Sequence, residues 1–480
     1  IRLLKRLIGA EAFAAGLDLY FARHDGQAVT LEDILACFAE AAGQNLEGVM
    51  RWYTQAGTPR VTARGTYDGT ARRYTLHLSQ LQAPTPGQTE KLPLPIPLQI
   101  GFVAENGALL APRLAGQDLG QEQHLLVLNE ANATFVFEGM SLPPIPSLLR
   151  DFSAPVILDD GLSEGERLVL MSHDPDPFTR WEAGQVAARG LILREAAAPG
   201  LAFAPLIAGL RRALDRAPAD PAFAALALRL PDLTELIQAS SNPDVDALDE
   251  ARHRLKAAVA KELEPDLRRI AETAPLGSFS ADAAAAGARA LRITALDLLS
   301  ALGAEAADLI ADVFDTADNM TVQINALEAL GHSGSAAWQG ALDRFYAQWQ
   351  QTPLALDKWF SAQAASSRAD VLSRLAVLRQ SSDFTLSNPN RVRALAAAFP
   401  ARNPRAFHAA DGTGYRFLAD LVADIDPLNP ALAARLLTGF ESWRRFDLGR
   451  QSHARAALEG LRNRPTVSKN SGEMLGRMLS

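Results

Sequence analysis

The chain has 480 residues, of which 48% are hydrophobic and 21% are charged, which is an ordinary globular composition. This length predicts about two to four domains, because one hydrophobic core seldom serves so many residues. The formal net charge of −8 argues against a nucleic-acid partner, and no apolar run approaches the length that a membrane span needs.

Cysteine usage indicates the compartment. Cys37 is the single cysteine, so the chain has no internal disulfide, as is typical of a reducing cytoplasm. Cys37 lies in the apolar run Ile34–Phe38, which favours a buried small residue over a nucleophile. The chain opens at Ile1, already in helical rhythm and without an N-cap, so we expect a fragment of a longer protein.

Residues 1–53 are predicted to be helical, since Leu4, Leu7, Ile8 and Leu17 recur near helical spacing. Asp25-Gly26 interrupts this pattern, and Thr30 with Asp33 resembles a capping box that begins a second helix. A short third helix is expected to carry Leu46, Val49 and Trp52.

Residues 54–158 show the two-residue periodicity of half-buried strands. Tyr74, Leu76 and Leu78 alternate with polar residues, and the segments are separated by Gly, Pro, Asn and Asp. Many short strands in about a hundred residues predict a small β-sandwich. Pro93, Pro95 and Pro97 cannot donate to a strand ladder, so we expect that strand to lie at a sheet edge.

Residues 159–480 are predicted to be helical throughout. Ala and Leu dominate, with breaks at Pro199–Gly200, Pro218–Pro221 and Asn429–Pro430. Successive helices with short breaks favour helix pairs stacked as in α-solenoids, although no clean repeat period is present. The expected fold class is therefore multidomain α plus β: a few helices, a small β-sandwich, then a large all-α superhelix.

Catalytic motifs are missing from this sequence. No two of its eight histidines lie within one helical turn of each other, so it has no His-Glu-x-x-His metal helix. A nucleophile elbow, a Walker A loop and a G-x-G-x-x-G fingerprint are absent too. Asp411–Gly414 lacks a following lysine and is interpreted as a turn.

Six blocks in the chain carry a family resemblance. They lie in family order and span almost the whole chain: Leu19–Gly26, Arg51–Pro59, Asp151–Val156, Asp357–Phe360, Phe384–Arg393, and Ala406–His408 with Asp411–Tyr415. Together they resemble the bacterial aminopeptidase N family, the alanyl aminopeptidases of the gluzincin class of zinc metallopeptidases.

The resemblance implies a domain plan. Residues 1–53 correspond to the last helices of a thermolysin-like catalytic domain, 54–158 to the β-sandwich, and 159–480 to a helical superhelix of the ARM/HEAT type that caps the active-site cavity. The implied activity is release of N-terminal amino acids from peptides by a zinc-activated water. The zinc ligands and catalytic residues would lie upstream of Ile1, so we expect this chain alone to bind no zinc and to be inactive. The implied partners are peptide substrates and the missing N-terminal and catalytic domains.

The resemblance also implies two substrate-binding arginines, Arg393 and Arg435, which match residues that face the cavity in the family. For each, an ion pair between helices is the alternative. Residues two apart on a helix point to different sides, so if Arg393 faces substrate we expect Arg391 to form a structural ion pair.

A second hypothesis from another class remains open. In it, the chain is a non-catalytic β-sandwich and helical scaffold that binds protein partners. The sequence upstream of Ile1 in the source gene distinguishes the two, because only the peptidase needs a His-Glu-x-x-His helix there.

Overall fold

The four helices at the start of the chain form a small layer with its own core. They are α1 (Arg2–Ile8), α2 (Ala10–His24), α3 (Leu31–Ala42) and α4 (Glu47–Thr54). The structure, a computed structural model, describes residues 1–273 and 279–480. The sequence predicted a single helix where α1 and α2 lie, but Gly9 separates them with a φ of 84°, a conformation that favours glycine. The capping box of Thr30 and Asp33 is confirmed at the start of α3.

Nine strands follow, and they form two sheets: β1 (Arg60–Asp68), β2 (Arg73–Leu81), β3 (Ile96–Ala104), β4 (Leu109–Leu110), β5 (Arg113–Leu114), β6 (Gln123–Leu128), β7 (Asn132–Glu138), β8 (Pro144–Ser147) and β9 (Ile157–Asp159). One sheet has the order β5-β7-β2-β1-β9, and the other contains β4-β3-β6 with β8 also paired to β3. The predicted inward positions Tyr74, Leu76 and Leu78 are buried. They pack with Ile96, Leu98 and Phe137 in one core, as expected of a sandwich.

The proline-bearing strand differs from its prediction. The sequence placed it at an edge, yet β3 lies inside its sheet, with β6 on one side and β4 and β8 on the other. Pro97 is tolerated because the part of β3 that contains it is paired on one side, so its missing N–H removes no hydrogen bond on the other side. Among the described strands, Ile96–Ile100 pair only with β6, while β8 and β4 pair from Gly101 onward.

From Glu164 onward, the described part of the chain is mainly helical. The helices are α5 (Glu164–His173), α6 (Pro177–Ala197), α7 (Ala204–Asp215), α8 (Pro221–Ala227), α9 (Leu233–Ala239), α10 (Val245–Glu262), α11 (Glu264–Glu272), α12 (Ala283–Leu299), α13 (Ala304–Thr316), α14 (Met320–Ser333), α15 (Ala337–Trp349), α16 (Pro353–Ala364), α17 (Val371–Arg379), α18 (Pro389–Val392), α19 (Ala398–Arg402), α20 (Pro404–Phe407), α21 (Thr413–Ile425), α22 (Pro430–Leu436), α23 (Leu448–Arg462) and α24 (Lys469–Leu479). Short 3₁₀ turns cover Arg150–Phe152, Ser300–Leu302, Leu437–Phe440 and Trp443–Arg445, and Arg393–Ala397 is a π-helical turn.

Two compact units divide the chain, Ile1–Ala187 and Ala188–Ser480. The first holds α1–α4, the sandwich and α5. In the second, the helices from α16 to α24 share one hydrophobic core that includes Phe360, Phe399, Phe407, Tyr415 and Phe440. None of the described helices combines the length and the apolar character that crossing a bilayer requires.

Candidate functional site

The helix that carries Arg393 begins with a strong local signal. The Asn388 side chain accepts hydrogen bonds from the backbone N–H groups of Asn390, at 3.0 Å, and Arg391, at 3.3 Å. Pro389 occupies the first helical position, where a missing N–H costs nothing. The start of the helix is therefore determined locally, and so is the direction in which each following side chain leaves it.

Arg391 points into the protein. It is buried, and its Nε donates to Asp357 Oδ1 at 2.6 Å. Its Nη1 donates to the carbonyl oxygen of Asp383, and its guanidinium lies 4.9 Å from the centre of the Phe360 ring. The structural ion pair predicted for Arg391 is confirmed.

Asp383 is itself fixed by a neighbour. Tyr346 donates its hydroxyl to Asp383 Oδ2 at 2.6 Å, and this hydrogen bond raises the pKa of Tyr346. The segment before α18 is therefore held to α15 through the hydrogen bond between Tyr346 and Asp383. Arg391 holds α18 itself to α16 through Asp357.

Arg393 points away from this network. Its side chain is exposed, and Nη1 donates to the side-chain oxygen of Asn390 at 3.1 Å. Two steps along a helix rotate the side chain by about 200°, so Arg391 and Arg393 leave on opposite sides. Among the described residues, no carboxylate forms an ion pair with Arg393. Its guanidinium is available to a ligand.

A π-helical turn follows at Arg393–Ala397, which the sequence analysis did not predict. The Ala398 N–H donates to the carbonyl of Arg393, five residues earlier. The Ser361 hydroxyl donates to the Ala394 carbonyl at 3.0 Å and satisfies another backbone group of this turn. We attribute the widening to Pro400, which offers no N–H to the Ala396 carbonyl and crowds it in a regular helix. Pro400 is the sequence signal that could have predicted this turn.

Arg435 is exposed on α22. The Asn429 side chain caps that helix by accepting the Leu432 N–H at 3.0 Å, and the Thr438 hydroxyl donates to the Arg435 carbonyl at 2.8 Å. Within the described part of the chain, its guanidinium has neither a hydrogen bond nor an ion pair.

The two arginines are not joined directly. No hydrogen bond links Arg393 to Arg435 in the described ranges. Their helices nevertheless bury apolar residues in the same core, Val392 and Leu395 from one and Leu432 and Leu436 from the other. Both arginines therefore lie on the solvent-exposed side of helical segments that pack on the same hydrophobic core.

Much of that support comes from a buried aromatic group around His408. His408 Nδ1 lies 2.9 Å from the Tyr415 hydroxyl, and both residues pack against Phe407. Burial, with a smaller contribution from the Arg450 charge, lowers the pKa of His408 to about 3. His408 is thus neutral near pH 7 and has a structural role.

Comparison with known proteins identifies the family. Residues 57–161 match a family model described as a domain of unknown function with an Ig-like fold (DUF3458), and residues 164–480 match one described as a domain of unknown function with ARM repeats (DUF3458_C). Aminopeptidase N of Caulobacter vibrioides is 43% identical over the whole chain, which covers 55% of that protein. Aminopeptidase N of Escherichia coli is 35% identical, again over the whole chain and 56% of its own length. The chain belongs to the aminopeptidase N family.

A solved structure agrees with this assignment. The crystal structure of Legionella pneumophila aminopeptidase A in complex with aspartic acid superposes with a TM-score of 0.86 at 29% identity, over all of this chain and 55% of that one. The chain spans about half the length of the curated relatives it matches and corresponds to their C-terminal part. The predicted fold class, an Ig-like sandwich followed by a large ARM-like helical region, is confirmed. The limits 1–53, 54–158 and 159–480 remain predictions.

The family implies zinc, and the residues described here do not fit a zinc site. Within residues 1–273 and 279–480, no group of three or more His, Cys, Asp or Glu side chains is placed to hold a metal ion. We therefore derive no chemical step through zinc from this chain.

Proposed function

We propose that this chain is the C-terminal half of a zinc-dependent aminopeptidase of the bacterial cytoplasm, which releases N-terminal amino acids from peptides. In this proposal the helical region caps the substrate cavity, and Arg393 and Arg435 contact the peptide. The environment of Arg393 is the main support for this proposal. Among the described residues, its side chain is held only by the neutral oxygen of Asn390, at 3.1 Å. Arg391, two residues earlier, instead forms a largely buried ion pair with Asp357.

The chemistry of an unpaired arginine supports a peptide contact. The guanidinium offers a planar fork of donors that fits carbonyl oxygens and carboxylates. A peptide supplies both along its backbone and at its C-terminus. The π-helical turn that begins at Arg393 also fits this role, because such turns are frequent at functional sites. Arg435 shares the exposure and the lack of an acidic partner among the described residues, but not the distinctive local structure.

Zinc in this proposal is held outside the described residues of the chain. The contribution assigned to this half is to bind and orient peptide. The matched relatives extend beyond the aligned region by nearly half of their length, which leaves room for a separate catalytic part.

The test substitutes Arg393 in the full-length protein. A charge-assisted hydrogen bond is worth about 1.5–3 kcal/mol, so Arg393→Ala should weaken peptide use by about tenfold to a hundredfold. The loss should appear mostly in KM if the contact is the same in the ground and transition states. Arg393→Lys should recover part of it, because the charge is kept and the fork is lost. Arg462→Ala is the control, since Arg462 is also an exposed helical arginine.

Two outcomes would contradict the proposal in different ways. If Arg393→Ala leaves KM unchanged in an active enzyme, this segment does not contact substrate. If the full-length protein has no peptidase activity, the proposed function itself is wrong, and the protein-binding scaffold takes its place.

A further inference from the structure

The block Asp151–Val156, one of those that carry the family resemblance, begins inside an unusual turn. Leu149, Asp151 and Phe152 have φ angles of 59°, 56° and 46°. Residues other than glycine seldom adopt such angles, and they keep them only where their surroundings hold them there. Three of them within four residues indicate a turn whose shape is imposed by specific contacts.

Arg150 supplies most of those contacts from inside the protein. Its side chain is 2% exposed. Nε donates to Ser147 Oγ at 2.8 Å, Nη2 to Asp174 Oδ2 at 3.0 Å, and Nη1 to the Glu122 carbonyl at 3.3 Å. The guanidinium lies directly over Gly101, where a Cβ would stand 1.9 Å from Nη1. A glycine is needed in β3 at this point so that Arg150 can pass beneath the turn.

The turn is also tied to the corner between α5 and α6. Asp174 caps the C-terminus of α5 and pairs with Arg150, and the Asp151 N–H donates to Asp176 Oδ2 at 3.1 Å. The Ser153 hydroxyl oxygen accepts the Gln99 N–H at 3.0 Å and joins the turn to β3.

Asp151 faces helix α1 with its side chain. Its carboxylate forms an ion pair with Arg6 and lies 3.9 Å from Arg2 Nη1, which also donates to the Asp151 carbonyl at 3.3 Å. Leu3, between these arginines, packs against the sandwich core. The left-handed backbone lets one residue use its N–H toward Asp176 and its carboxylate toward α1.

We propose that Leu149–Ser153 is an anchor that holds helix α1 against the sandwich and the α5–α6 corner, with Asp151 as its electrostatic contact. Three segments that are distant in sequence meet there: Arg2–Arg6, Gln99–Gly101 and Asp174–Asp176. All of them lie in the first compact unit. The anchor does not depend on the proposed function. If that function holds, α1 belongs to the catalytic part, and the anchor fixes that part to the sandwich.

The test measures backbone hydrogen exchange in this 480-residue chain. Asp151→Asn removes the charge but keeps a residue that tolerates positive φ. It should raise exchange in α1 by about two- to fivefold at low salt, the size expected of a partly exposed ion pair, and leave β1–β3 unchanged. In 1 M salt the unmodified chain should exchange as fast as the variant, because the charges are screened. The control is Asp159→Asn, which removes a similar exposed ion pair with Arg64, away from α1.

A second pair of variants tests the strained backbone. Glycine adopts a positive φ without steric cost, so Asp151→Gly should melt at a higher temperature than Asp151→Ala. Equal melting temperatures would overturn the role of the strained turn. Unchanged exchange in α1 for Asp151→Asn, or the same increase for Asp159→Asn, would overturn the anchor. Neither outcome affects the Arg393 experiment.

Discussion

Arg391 and Arg393 provide a matched pair for separating a structural arginine from an exposed one. Arg391→Ala removes one partner of an ion pair whose side chains are 6% and 15% exposed, and so leaves the partly buried Asp357 carboxylate without a counter-charge. Breaking a buried pair on one side costs about 3–5 kcal/mol. The hydrogen bond to the Asp383 carbonyl and the ring contact with Phe360 are lost as well. We expect a loss in unfolding free energy within that range.

Arg393→Ala is the control for that measurement. It removes the same side chain two residues further along the same helical segment, but Arg393 is exposed and, among the described residues, forms one hydrogen bond, to the neutral Asn390. Substitutions of this kind usually change stability by no more than about 0.5 kcal/mol. Urea unfolding followed by circular dichroism gives both values. Hydrogen exchange in α16 and α18 then locates the loss.

A double substitution tests the cause. If the cost comes from an orphaned carboxylate, Asp357→Ala combined with Arg391→Ala should cost less than the two single losses added together. Additive losses would mean that the two side chains act separately. If Arg391→Ala and Arg393→Ala destabilise the protein equally, the assignment of Arg391 to a structural ion pair and of Arg393 to the surface is wrong.

Four further predictions concern the chain as it stands. After dialysis it should neither retain stoichiometric zinc nor hydrolyse aminoacyl anilides. Measurable turnover with bound zinc would refute the proposal that the zinc site lies outside this chain. The pKa of His408 is lowered to about 3, so this residue stays neutral in the folded state while the unfolded state takes up a proton below about pH 6.5. Stability should therefore fall as the pH falls; the contribution of His408 to the loss from pH 7.5 to pH 5 is about 2 kcal/mol, so urea unfolding of His408→Asn should show a smaller loss over this range, and an unchanged loss would refute the assignment. Limited proteolysis should cut near the link 160–163, between β9 and α5, and leave a stable helical piece, because this link has no regular secondary structure and contains the exposed Gly161; preferential cutting within 74–137 would count against it. Hydrogen exchange should be faster in residues 1–30 than in 320–400, since α2 buries only Gly16 and leaves Phe21 58% exposed, and equal protection would show another partner for these helices.

Local sequence determined much of this protein. The period of the apolar residues separated the strands of 54–158 from the helices on either side, because side-chain direction follows directly from backbone geometry. The same periodicity placed Arg391 and Arg393 on opposite sides of one helix, and six short blocks were enough to indicate the family. The predicted inward strand positions and the capping box at Thr30 needed no knowledge of distant contacts.

Tertiary structure decided the rest, because those features depend on which distant segments meet. The prolines near β3 suggested an edge strand, but Pro97 sits in an inner strand at a stretch that is paired on one side among the described strands. The partner of Arg391 is 34 residues away at Asp357, and only the packing of α16 against α18 selects it. Local propensity does not predict the left-handed turn around Arg150. This turn forms because Ser147, Glu122 and Asp174 surround one buried guanidinium, and these residues meet only in the folded chain. A backbone conformation that costs free energy locally can be predicted only from the contacts that hold it.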